Sequence, residues 1–170
     1  EMRSNYPLPD LLTGNSVTML APSIGYNYSS YSIDNTDSSR KSNQFLLGFD
    51  MLGRAPNGLS YTVGGNLSMG GKISESLNAL QPKQWETTYN AFSSVLSAYI
   101  LPGYTFNVKD FYLTAEGGIG FSATVFEKTS FLSFMVPIGL ELKYYFTRDF
   151  GISVTGMWSW GIGALITASE

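Results

Sequence analysis

Four ionisable residues fall where chemistry could be arranged in an otherwise weakly charged chain: Asp50, Glu116, Glu141 and Lys143. Each occupies the non-apolar phase of an alternating segment, so all four are expected on one inward face. Two carboxylates held close together push one proton affinity upward, an arrangement suited to acid/base or proton-coupled work. The other reading is an interior polar network in which carboxylates and lysine satisfy one another, and that is the expectation adopted here. Histidine, the commonest general base, is absent. An enzyme would therefore need a Ser, Asp or Glu nucleophile working without it, and nothing in the sequence locates one; no catalytic residue and no enzymatic activity are expected. With no cysteine either, thiolate ligands and disulfides are excluded, and no metal or cofactor site is expected. Gly118, Gly120 and Ala123 match the letters of a dinucleotide fingerprint. That fingerprint requires a strand-to-helix turn, whereas this segment lies within one strand and leads to another.

The elements that must position these residues follow from period-two alternation. Over 132–146, Phe134, Val136, Ile138, Leu140, Leu142, Tyr144 and Phe146 alternate with small, mixed or charged neighbours. A turn at 147–149 leads to a strand over 150–160, with Phe150, Ile152, Val154, Trp158 and Trp160 on its apolar face. Further strands are expected over 111–121, 92–106, 59–69, 45–51 and 16–31. Pro102 marks an irregularity in one, and a change of phase near Pro22 predicts a bulge in another. Connections over 32–42, 70–89 and 123–130 read as long loops, and those over 54–58, 107–110 and 147–149 as short turns. A helical turn is expected around 74–80, ended by Pro82.

Composition decides what the apolar face meets. Charged residues make up 14% of the 170-residue chain, against roughly a quarter in an average soluble domain. A soluble sheet covers its wet face with Lys, Glu and Arg, whereas the non-apolar face here is mainly Ser, Thr, Gly and Asn. So many Phe, Leu, Ile, Tyr and Trp side chains would overfill the interior of a small barrel, and facing lipid removes that conflict. Aromatic girdles are expected at both ends: Tyr26, Tyr28, Trp158 and Trp160 toward the loops, and Tyr104, Phe106, Tyr144, Phe146 and Phe150 toward the turns. No apolar run approaches the ~20 residues of a membrane-spanning helix. A net charge of −3 without a basic patch argues against a nucleic-acid partner.

The segments Leu113-Thr-Ala-Glu-Gly-Gly-Ile-Gly120 after a tight turn and Pro137-Ile-Gly-Leu-Glu-Leu-Lys-Tyr-Tyr-Phe146 before one resemble the small bacterial outer-membrane β-barrel superfamily that includes the OmpA transmembrane domain, OmpX and OmpW. The resemblance spans 16–160 and lies in architecture and texture. It implies an all-β, antiparallel up-and-down transmembrane β-barrel of the eight-strand type, of which seven strands are recognisable. The expected organisation is an N-terminal extension over 1–14, lacking the features of a signal peptide, and a barrel domain over 15–170. The expected partners are the outer-membrane bilayer and a protein at the barrel wall or open edge. Long loops would be extracellular and short turns periplasmic. The functional expectation is a structural or interaction component, with a narrow conduit for small or apolar solutes, as OmpW resemblance would imply, and a surface adhesin as alternatives.

Overall fold

Alternation of β-branched and aromatic residues with small polar ones favours a pleated surface with two unlike faces, and the chain folds accordingly. The computed structural model describes residues 17–32, 38–55, 57–77, 85–108, 110–147 and 150–168. These form eight strand elements: β1 (Val17–Ser32), β2 (Ser38–Arg54), β3 (Leu59–Leu77), β4 (Trp85–Val108), β5 (Phe111–Gly117), β6 (Ile119–Phe126), β7 (Thr129–Tyr145) and β8 (Gly151–Ala168). All belong to a single antiparallel up-and-down sheet. The connections at 55–58, 109–110 and 146–150 define its turn end, and those at 33–37, 78–84 and 127–128 its loop end.

β5 and β6 are collinear halves of one stave, so the eight elements make seven staves among the described residues. β4 pairs with both halves in one register, Gly103 with Glu116 and Ile100 with Ile119, and β7 does the same from the other side. The break falls at Gly118, level with Pro137 in β7 and one residue from the level of Pro102 in β4. Proline has no N–H to give a ladder, so two neighbouring strands each lose a donor at this level. Gly118 N–H still donates to Pro137 O at 3.0 Å, and a Cβ at 118 would collide with the Ile100 carbonyl oxygen. The irregularity expected at Pro102 thus lies on its β5/β6 side, while its pairing with Tyr61 of β3 is regular.

Several expectations are corrected. β1 runs without a register shift, with Pro22 opposite Phe49, so there is no bulge. Leu20, Ile24, Tyr26 and Tyr28 lie on the exposed face, while Met19 lies on the other. Pro22 is tolerated because β1 has a free side among the described residues, where a missing donor costs least. The helical turn around 74–80 is also absent where it can be judged, since β3 continues to Leu77 paired with β4; residues 78–80 lie outside the described residues. The long loop expected at 123–130 is a two-residue hairpin of Glu127 and Lys128. The contrast between long loops and short turns consequently shrinks, the loop-end connections being 33–37, 78–84 and 127–128.

Glu127 sits at φ 56°, a left-handed conformation that disfavours a side chain with a Cβ. Its N–H donates to Phe92 O at 2.8 Å, a bond that any residue supplies. Glu127→Gly is therefore expected to stabilise the protein by about 0.5–1 kcal/mol, read as a raised urea midpoint; a lowered midpoint would show that the side chain contributes more than its conformation costs.

The sheet is rolled. Arg54 on β2 reaches Glu141 on β7, and Tyr31 on β1 packs its ring against Phe126 and Phe131 at 4.7 and 4.8 Å between centroids. These contacts span several intervening strands and require the inward faces to surround a common interior. β7 shows the two faces clearly: Val136, Ile138, Leu140 and Leu142 are exposed, while Met135, Glu141 and Lys143 between them are buried. The β2–β3 register shifts between Ser42 and Phe45 and the β3–β4 register between Gly70 and Lys72, at one level, with the extra residue on β3 and β4 respectively. There the outward row changes from Phe45, Met69 and Phe92 to Asn43, Lys72 and Asn90.

Candidate functional site

The interior is polar and divides into two tiers. Toward the turn end, Arg54 closes β2 in the same inward phase as Asp50, and the roll of the sheet brings it to β7. Its Nη2 lies 3.1 Å from Glu141 Oε1, and the same oxygen lies 3.1 Å from Lys143 Nζ. Arg54 Nη1 also donates to the carbonyls of Gly53 at 2.9 Å and Tyr61 at 3.3 Å. The three side chains are only 4% (Arg54), 8% (Glu141) and 9% (Lys143) exposed, so one carboxylate answers two buried cations. The other two predicted carboxylates have separate donors: Thr62 Oγ1 donates to Glu116 at 2.7 Å, and the Tyr99 hydroxyl donates to Asp50 at 2.7 Å. The predicted network is thus one ionic cluster of Glu141 and Lys143 with two satellites. Arg54 was missed because its place beside Pro56 and the Asn57-Gly58 pair made it read as turn; extending the phase of Gln44, Gly48 and Asp50 by two more steps would have found it.

Toward the loop end the buried bonds are neutral, with the half-buried pair of Arg40 and Glu75, 3.7 Å apart, near the mouth. Asn27 Nδ2 donates to Gln44 Oε1 at 2.8 Å and to Ser68 Oγ at 3.1 Å. Ser68 Oγ donates to the same Gln44 oxygen at 3.0 Å. Gln44 Nε2 in turn donates to Ser93 Oγ at 3.0 Å, which lies 2.5 Å from Ser42 Oγ. The rings of Tyr31, Phe126 and Phe131 lie above this chain of bonds. Buried polar groups are costly unless paired, and here pairing extends across four strands, from β1 to β4. Sequence reading registered these residues only as a small polar face; the amides Asn27 and Gln44 were the signal available.

A cavity of about 1800 Å³ opens along β1 and β8, with outward residues such as Leu20, Ile24, Val154 and Ile162 at its rim. Asn27, Ser97, Thr124, Ser133, Glu141 and Thr155 are among the residues that line it. Such walls offer hydroxyls and amides to a solute, and no histidine or cysteine to activate one.

The aromatic expectations divide by end. At the turn end, Tyr104 and Phe106 pack at 4.7 Å, Tyr144 and Phe146 at 5.4 Å, and Phe111 joins Tyr144 at 5.4 Å. Phe150 is exposed there as well. At the loop end, Tyr26 and Tyr28 are exposed on β1, with the Tyr26 hydroxyl bonded to Asn43. Trp158 and Trp160 are misplaced by the sequence reading. β8 continues to Ala168, so both lie in mid-strand, opposite Ile138 and Val136. The glycines and small residues after Trp160 had hidden that continuation.

Comparison with curated proteins and with solved structures returns no match. Residues 14–169 match the family described as Domain of unknown function (DUF2715), and the chain belongs to that family.

Proposed function

We propose that this chain is an integral β-barrel protein of a bacterial outer membrane, acting as a structural or interaction component rather than as an enzyme. The observation that carries this reading is the exposed apolar row on successive strands, set against a hydrogen-bonded polar interior. A protein in water buries the first and exposes the second; a barrel in lipid does the reverse. On β7 the row from Phe134 to Tyr144 covers ten residue steps. At ~3.4 Å per step and a tilt of ~40° this spans about 26 Å, close to the ~25 Å apolar band of such barrels. The turn-end aromatics and the polar switch at Asn43, Lys72 and Asn90 supply the two boundaries. The loop end would face outside and the turn end the periplasm. A conduit fits less well, because the Arg54, Glu141 and Lys143 cluster occupies the turn end of the interior.

The mid-strand tryptophans make the reading testable. In a Trp85→Phe variant reconstituted into vesicles, Trp158 and Trp160 fluorescence should be quenched by lipids brominated near mid-chain and little affected by aqueous acrylamide. The opposite pattern, or protein that does not float with the vesicles, would sink the proposal.

A further inference from the structure

Three rings fix the relative height of walls that face each other across the interior. Tyr31 crosses from β1 to meet Phe126 of β6 and Phe131 of β7, and Arg40 Nη1 donates to its hydroxyl at 3.4 Å. Inward residues recur at every second position, so stepping from these rings toward the turn end shows what lies beneath them. The first step gives Ser29 on β1, Thr124 on β6 and Ser133 on β7; the second gives Asn27, Ser122 and Met135. Ser97 of β4 is paired with Ser122. Where long rings touch across the interior, the shorter side chains just below them leave it open, and these residues line the cavity. The walls belong to β1, β4, β6 and β7, so they are the same whatever lies beyond the outer edges of β1 and β8.

This chamber has unlike surfaces. Its ceiling is the three rings, and its floor is Met135 packed with Tyr99, whose hydroxyl donates to Asp50. Its walls carry hydroxyls that await a partner. Among the described residues no hydrogen bond engages the side chains of Ser97, Ser122, Thr124 or Ser133, and Ser29 Oγ is buried without one. The neighbouring Asn27, Gln44, Ser68 and Ser93, by contrast, satisfy one another. Unpaired hydroxyls inside a protein are met by water or by a solute. Water would answer the hydroxyls and leave the rings and the thioether without a partner. A pyranose answers both, with hydroxyls around its edge and C–H groups on its two faces. The wall residues are uncharged, so a neutral molecule leaves no ion desolvated. The Arg54, Glu141 and Lys143 cluster lies farther toward the turn end, so a solute entering at the mouth is held rather than passed.

We propose that the loop-end interior is a binding site for a neutral pyranose sugar, its ring lying between the three aromatic rings and the floor of Met135 and Tyr99, and its hydroxyls bonded to Ser97, Ser122, Thr124 and Ser133. The site goes beyond a structural role, and it requires the rolled interior rather than the lipid around it.

Saturation-transfer NMR tests this on the full chain refolded in micelles of lauryldimethylamine oxide, a detergent without a sugar headgroup. The probes are glucose, galactose, mannose and N-acetylglucosamine, with glycerol and the phosphate ester of glucose for comparison. At least one neutral pyranose should receive saturation on its ring protons, with a dissociation constant on the order of 1 mM, as expected for a ligand of about a dozen non-hydrogen atoms. Tyr31→Ala, which removes part of the ceiling, should weaken binding about ten-fold. Ser122→Leu, which fills the chamber, should abolish it, and Ile138→Phe on the outer face should leave it unchanged. No saturation of any pyranose, equal saturation of glycerol, or tighter binding of the phosphate ester overturns the inference. So does undiminished binding by Ser122→Leu protein that has the parent's circular dichroism and unfolding midpoint. If that variant does not fold, undiminished binding by Tyr31→Ala protein overturns it instead.

Discussion

Glu141→Leu is expected to lower the unfolding free energy by about 3–5 kcal/mol, the range found when one partner of a buried ion pair is removed. The cost arises less from the lost attraction than from what is left behind: Arg54 and Lys143, both almost wholly buried, would face each other without an anion. Arg54 also ties the end of β2 to the Gly53 and Tyr61 carbonyls, so its displacement should loosen the adjoining turn. Urea unfolding of the vesicle-inserted protein, followed by tryptophan fluorescence, gives the midpoint. Adding Arg54→Leu and Lys143→Leu to the first substitution should recover most of the loss, because a cluster replaced as a whole leaves no orphaned charge. A single variant as stable as the parent would show that the cluster is solvated.

Ile138→Arg should cost about 2–4 kcal/mol, the penalty for a lipid-facing cation near the bilayer midplane of a barrel. Ile138 lies in the middle of β7, opposite Trp158, and is 44% exposed. The same exposure in water predicts a change within about 0.5 kcal/mol, so the substitution separates the two environments by magnitude alone. Ile138→Phe, which keeps the side chain apolar, should leave folding into vesicles nearly unchanged. An Arg variant that folds as well as the Phe variant would place this face in water.

The strands were legible wherever the two faces differed in polarity. The run from Phe134 to Tyr144 alternates so regularly that its path, its faces and the inward placement of Glu141 and Lys143 could be read directly. Beyond Met69 and Phe92 the contrast vanishes, since Lys72, Ser74, Thr88 and Asn90 are polar on the outward side too. Alternation carries no signal there, and strand was mistaken for loop. Pro22 misled for the opposite reason: proline reads as an interruption, but a strand with a free side accommodates it. The break at Gly118 depends on Pro102 and Pro137 lying in different strands within one residue of the same level, and only the register reveals that. The interior site was partly legible. Phase placed its carboxylates inward, but which of them meet is fixed by how far the sheet rolls.

The hairpins of the loop end reach unequal heights. Ser93 is level with Phe126, yet β4 begins at Trp85, so eight residues of that strand stand beyond the end of β6. At ~3.4 Å per residue and a ~40° tilt, the difference is roughly 20 Å. The mouth is therefore slanted, with a parapet formed by β3 and β4 and a low sill at Glu127 and Lys128. A molecule approaching the loop end from the side would reach the aromatic trio of Tyr31, Phe126 and Phe131 over the sill and meet a wall on the other bearing, so access to the interior has a compass direction.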